Sequence, residues 1–203
     1  MWYKLKRILI YPDGVTEKQV YPQWNYVYEY NFVGKTTSQV TAEWFTIKEW
    51  NFTINSNWVT SSSSSGRVLL HKTVSNVATA KKIILNNTFV LGSSATGCSF
   101  RLTNNNRTYT SWIQLTVSIN NYEFHIWWDK VATLSWMSAG TYTWTTVLDL
   151  ENKIATFSVS WKATQTYTIT DTQVNNIRNY DTLVELQCWN SSCTISNISV
   201  KIK

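Results

Sequence analysis

The segment YEFHIWWD at 122–129 gathers residue types that recognise or cleave sugars. Read as one strand, it places Glu123, His125, Trp127 and Asp129 on one face and Tyr122, Phe124, Ile126 and Trp128 on the other, core-facing side. A Trp face packs against the apolar C–H side of a pyranose, while short polar groups fix the hydroxyls. Glu123, His125, Trp127 and Asp129 are therefore the candidate glycan-binding residues. A second reading stays open beside it: a sheet face left exposed or covered by a neighbouring subunit. That reading is the default, because most aromatic side chains of a sandwich pack inside it.

Catalysis would ask for more. Sugar hydrolysis uses two placed carboxylates, which β-sandwich glucanases commonly carry as alternate acids on one strand. Glu123 and Asp129 share the expected face but lie six residues apart, and Asp149 and Glu151 straddle a strand end. His71 and His125 are the only histidines, and neither accompanies a GxSxG nucleophile signature. Glycine-rich phosphate loops and clustered metal ligands are missing from the sequence. The expectation is a protein without enzymatic activity, cofactor or metal.

Composition says what must position these residues. Charged residues make up 15% of the 203, against 12 Trp, 11 Tyr and 7 Phe, so the polarity comes from Ser, Thr, Asn and Gln. β-Branched and aromatic residues suit pleated sheets, whereas the scarce Lys, Glu and Ala suit helices. The net charge of +6 is scattered, its densest cluster being Lys4, Lys6 and Arg7, which reads as solvated surface rather than a nucleic-acid face. No apolar run reaches membrane-spanning length, and the N-terminus has no signal-peptide pattern, so synthesis in a cytoplasm is expected. Three cysteines argue against a disulfide framework. Cys188 and Cys193 flank WNSS at an expected hairpin end, where a cross-strand bond is open to them; two buried thiols are the default in reducing cytosol. Five N-x-S/T sites, at Asn51, Asn86, Asn106, Asn190 and Asn197, are what chance supplies in a chain this rich in Asn, Ser and Thr.

Strand patterns fill the chain. YVYEYNF sets Tyr26, Tyr28, Tyr30 and Phe32 against Val27, Glu29 and Asn31, and EWNFTIN repeats the alternation. A serine run within SNWVTSSSSSGRVLL reads as a surface loop. KKIIL, TFVLG, CSFRLT, SWIQLTVSI, NYEFHIWWD, GTYTWTTVLDL, KIATFSVSW, TYTIT, TLVELQCW and CTISNISVKIK follow as separate strands bounded by Asn, Gly, Asp or Ser. The apolar phase flips between Ile195 and Ile198, which predicts a bulge near Ser196–Asn197. DTQVNNIRNY is the one expected helical turn, with Asp171 as its cap. Many strands with polar turns and no intervening helices specify an all-β, antiparallel two-sheet sandwich of jelly-roll type over residues 23–203.

Residues 1–22 stand outside that rhythm. LKRILIYPDGVTEKQVYP reads as a β-hairpin closed by PDG and bounded by Pro12 and Pro22. An isolated two-stranded ribbon is marginal in water and must lie against something. Leu5, Ile8, Leu9, Ile10, Tyr11, Val20 and Tyr21 would bury their side chains either by extending a sheet of another subunit or by completing an edge of the chain's own sandwich.

A resemblance bears on the choice. The run from GTYTWTTVLDL to ISNISVKIK resembles the C-terminal half of a concanavalin A-like (laminin-G-like) jelly roll, and the opening LKRI…YP is similar to the segment that heads bacteriophage tail-fibre and virion-attached proteins. The two matches cover the first two dozen residues and the last third of the chain. The resemblance implies a concanavalin A-like sandwich in a structural protein of the virion, a tail fibre, spike or capsid decoration, made in the host cytoplasm. It implies attachment to other virion proteins through the N-terminal hairpin, self-association as a homo-oligomer, and recognition of a host-surface glycan; the scattered charge and the lack of a long apolar run make neither nucleic acid nor membrane an expected partner. A free carbohydrate-binding module or lectin is the alternative.

Overall fold

From Lys82 to Leu91 every second side chain is buried, and the same alternation runs through Ile154–Val159. A period of two with one buried face is the signature of a strand laid on a core. The computed structural model describes residues 24, 26–43, 46–47, 52–54, 59–61, 70–74, 76–92, 98–104, 113–117, 121–126, 129–135, 137–179, 182–188 and 193–203. The N-terminal hairpin residues and the centre of the serine run lie outside them.

In chain order the described elements are β1 (Tyr26–Asn31), α1 (Thr37–Ala42), β2 (Thr46–Ile47), β3 (Phe52–Ile54), β4 (Val59–Ser61), β5 (Leu70–Val74), β6 (Lys82–Leu91), β7 (Cys98–Asn104), β8 (Ile113–Val117), β9 (Asn121–Ile126), β10 (Asp129–Ser135), β11 (Gly140–Asp149), β12 (Ile154–Val159), β13 (Gln165–Thr168), α2 (Asp171–Arg178), β14 (Thr182–Cys188) and β15 (Cys193–Ile202). They form two antiparallel sheets, as the composition requires. One has eight strands in the order β13-β12-β11-β6-β15-β4-β3, with β1 also paired to β15; the other has seven in the order β10-β9-β8-β7-β14-β5-β2.

The sheets meet through one apolar cluster. Phe124 of the seven-stranded sheet lies with its ring centroid 4.4 Å from Phe157 and 6.3 Å from Trp144 of the other, and all three are fully buried. In the eight-stranded sheet Ile83, Leu85, Phe89, Ile198, Val200 and Ile202 complete the buried face. The expected face of the first strand holds for Tyr28 and Phe32, which are buried, while Val27, Glu29 and Asn31 are exposed. The expected bulge is present as well: the β15–β6 register shifts between Ile195 and Asn197, which leaves Ile195 and Ile198 both buried. Ser196 is drawn inward at that point, its hydroxyl donating to the Thr88 carbonyl at 3.2 Å and its own carbonyl accepting from Phe32 N–H at 2.8 Å.

Four local expectations are corrected. KKIIL and TFVLG are one strand, β6, because Asn86 and Asn87 do not break it: Asn86 Oδ1 accepts from the Thr145 hydroxyl at 2.6 Å, and Asn87 is buried. α2 is capped by Thr170, whose hydroxyl accepts from Gln173 N–H, rather than by Asp171; Asp171 sits in the first turn, where a carboxylate meets the positive end of the helix dipole, and pairs with Lys153 at 2.7 Å. α1 is a further helix, closed by the same capping box between Thr36 and Gln39. Cys188 and Cys193 do not flank a hairpin end: β14 belongs to the seven-stranded sheet and β15 to the eight-stranded one, so the two strands are not paired with each other.

Three ionisable groups tie loops to the sheets. The Lys35 ammonium and the Tyr30 hydroxyl both donate to Glu43 at 2.9 Å, and these hydrogen bonds hold its carboxyl below the ordinary value. Burial, reinforced by the Glu43 carboxylate, pushes the Tyr30 phenol well above its own. Burial alone would raise Asp149, but hydrogen bonds from Asn152 and the Lys82 ammonium at 3.2 Å outweigh it and hold that carboxyl low. A carboxyl lowered in the fold adds stability that is complete above the unfolded value of about 4 and lost as pH falls through the folded value. A phenol raised in the fold adds stability that is complete below about pH 10 and lost as pH rises through its folded value. Urea unfolding across pH is therefore expected to show midpoints that decline at both ends, with Glu43→Gln flattening the acid limb; an unchanged acid limb in that variant would sink the assignment.

Candidate functional site

β9 alternates because its partners on both sides hold it in the sheet: Phe124 and Ile126 face the core, and Glu123 and His125 face outward, each about three-quarters buried. Glu123 is bridged from two sides, by His125 Nε2 at 3.2 Å to one carboxylate oxygen and by Lys130 Nζ at 3.3 Å to the other. Lys130 comes from β10, directly opposite His125.

The register extends this cluster across the whole sheet. Lys130, His125, Gln114, Arg101, Glu185, His71 and Thr46 are successive partners from β10 to β2. A parallel row runs Thr133, Glu123, Thr116, Ser99 and Gln187. Residues directly opposite in an antiparallel ladder share a face, so both rows belong to the outer face of the seven-stranded sheet. The next row, Ala132, Phe124, Leu115, Phe100, Leu186, Leu70 and Ile47, is apolar throughout and belongs to the core side. Both histidines of the chain thus share one polar row, four strands apart, which no local pattern announces.

Two of the four predicted residues, Glu123 and His125, are brought together. Asp129 is not, because YEFHIWWD is not one strand: β9 ends at Ile126 and β10 begins at Asp129, with these two residues paired. The pairing places Asp129 in the register row of Ile126, one position out of phase with His125 and Lys130. Trp127 and Trp128 lie outside the described residues, as does the expected alternation of their rings. Sequence reasoning missed Lys130, whose signal would have been a chain reversal at 127–128.

A carboxylate, an imidazole and an ammonium within hydrogen-bonding reach offer acceptors and donors at fixed spacing. A different exposed group sits at the β12–β13 turn, where Trp161 is 91% exposed and holds φ at +68°. Left-handed backbone is strained for a bulky side chain, so the position is set by the turn and not by burial of the ring.

No family model and no curated protein matches the chain. Solved structures do. Lectin II from Ulex europaeus aligns over 89% of this chain and 100% of its own, at a TM-score of 0.62 and 11% identity. Winged bean acidic lectin, solved with methyl-α-D-galactose, aligns over 88% and 99% at 0.63 and 13%. The CBM2 module of the evolved Dit of Lactobacillus casei BL23 phage J-1 aligns over 87% and 90% at 0.51 and 10%. Identities this low speak to architecture, and with the strand order above they make the chain an antiparallel two-sheet β-sandwich of the concanavalin A-like lectin fold.

Proposed function

We propose that the chain is a non-enzymatic, glycan-binding structural component of a bacteriophage virion, a tail fibre, spike or capsid decoration, held among other virion proteins as an oligomer by residues 1–22. The observation that carries the glycan-binding part is the polar row on the outer face of the seven-stranded sheet, with Glu123 bridged by His125 and Lys130. The likeness to lectins supports it, and the likeness to a phage-borne module supports the virion setting. A free lectin accounts for the same face, and its distinguishing behaviour is a soluble monomer that binds a glycan without joining particles.

Deleting residues 1–22 is expected to leave the thermal transition of the sandwich in place and to abolish co-sedimentation with virions. A truncated chain that fails to fold would put the segment in its own core, and unchanged co-sedimentation would remove its attachment role. Glu123→Gln with His125→Ala is expected to weaken adsorption of the purified protein to host cells by about tenfold, the equivalent of about 1.4 kcal/mol. New reducing ends after incubation with host surface polysaccharide would overturn the non-enzymatic assignment.

A further inference from the structure

The outer face of the eight-stranded sheet carries a groove of about 410 Å³ between β1, β15 and β6. Glu29, Asn31, Asn86, Asn197, Ser199 and Lys201 line it. The register explains why they meet: Glu29, Ser199, Asn86 and Thr145 are successive partners, as are Asn31, Asn197, Thr88 and Thr143. Short Asn and Ser side chains over the middle strands leave the depression. The Glu29–Lys201 ion pair, at 3.0 Å, spans one part of it.

Hydrogen bonds inside the protein fix what the groove presents. Asn31 Oδ1 accepts from Val33 N–H at 2.9 Å, and Asn86 Oδ1 accepts from the Thr145 hydroxyl at 2.6 Å. Each amide therefore has its acceptor occupied and its NH₂ left to donate. Lys201 engages Glu29 Oε1 and leaves Oε2 as an acceptor. At the floor, the Ser199 hydroxyl oxygen is shut off from solvent and has no partner among the described residues. One carboxylate is balanced by one ammonium, so the lining has no net charge to attract an anion.

We infer that this groove is a second saccharide site, for a neutral mono- or disaccharide, independent of the Glu123–His125 face. Each sugar hydroxyl donates one hydrogen bond and accepts others, so a carboxylate oxygen beside two oriented amide NH₂ groups can satisfy adjacent hydroxyls together. The volume falls within the range of about 300–1,000 Å³ usual for small-ligand sites. The lining, to which Tyr30 and Ile198 also contribute, is half polar and open, which predicts weak single-site binding that display in many copies would strengthen.

The test is an amide-resolved NMR titration of the full chain with galactose, glucose, N-acetylglucosamine and lactose, and with N-acetylneuraminic acid as the anionic control. The expected result is shifts at Asn86, Asn197 and Ser199 with a neutral sugar and weaker ones with the acid. Asn197→Leu and Glu29→Gln are expected to lower that affinity by about tenfold, the loss of a hydrogen-bonding group or two, while Glu123→Gln leaves it unchanged. Thermal melting reports whether each variant folds, and Asn31→Ala, at an exposed position, replaces any that does not. Shifts confined to β9 and β10 would overturn the groove and leave the lectin reading standing. No shift with any sugar would overturn both. Groove shifts that survive both Asn197→Leu and Glu29→Gln, or that follow protein concentration and mark self-association of this face, would overturn the saccharide assignment.

Discussion

Trp144→Ala is expected to leave the chain unfolded, or close to it, at room temperature. The side chain has no solvent exposure and is the largest of the fully buried ones among the described residues. It stands in the middle of β11, a ten-residue strand paired along its length with β6, so the backbone cannot collapse into the space it leaves. Its ring also lies in the layer where the two sheets touch, beside Phe124, whose other neighbour is Phe157. Truncating a buried ring of this size removes the transfer free energy of the lost atoms and opens a cavity between rigid sheets, at a combined loss of about 3–5 kcal/mol. Domains carry only about 5–15 kcal/mol in total. Urea unfolding followed by far-UV circular dichroism reads the effect, with Thr143→Ala, on the exposed face of the same strand, as the reference. Equal losses in the two variants would mean that the space between the sheets is not where the stability lies.

What the sequence shows of this fold depends on whether a feature is written locally. The bulge on the last strand was readable because it breaks the two-residue period of Ile195 and Ile198, and the helix over Asp171–Arg178 because its residues are contiguous, though its cap lies one residue before the one the sequence suggested. The reversal after Ile126 was not, because the residues at 127–128 are both Trp and carry none of the Gly, Asn or Asp that mark a tight hairpin. Asn86–Asn87 misled in the opposite sense: two turn-forming residues sit inside β6 because Thr145, more than fifty positions away, supplies the first with a hydrogen bond. The same limit governs the candidate site. Glu123 and His125 were visible as alternate residues on one strand, but Gln114, Arg101, Glu185 and His71 enter their row only through pairings of distant segments. Such register is set by burial of the opposite face, here that of Phe124 and Ile126, and not by the polar residues themselves.

Replacing Asn87 should move stability in opposite directions with two residues of similar size. Asn87 lies 2% exposed on the core face of β6, opposite Trp144 on one side and Ile198 on the other, and its Oδ1 has no partner among the described residues. A buried acceptor without a donor has lost its water and gained nothing in return, a loss of about 1–3 kcal/mol. Leu has nearly the same shape and no polar atoms, so Asn87→Leu is expected to stabilise the fold by about that amount. Asn87→Asp keeps the shape and adds a charge that no described neighbour compensates. Leaving a charge buried and unpaired is expected to destabilise by about 3–5 kcal/mol at neutral pH, and because the folded state then favours the protonated carboxyl, the loss should shrink as pH falls towards 4, about the ordinary value of an aspartate. Urea unfolding at neutral and acid pH separates the two effects. If Asn87→Leu instead weakens the fold by more than about 1 kcal/mol, the amide has a partner in the interior, an ordered water or a side chain outside the described residues, and the polar spot between the sheets is a structural hydrogen-bond centre rather than an unsatisfied one.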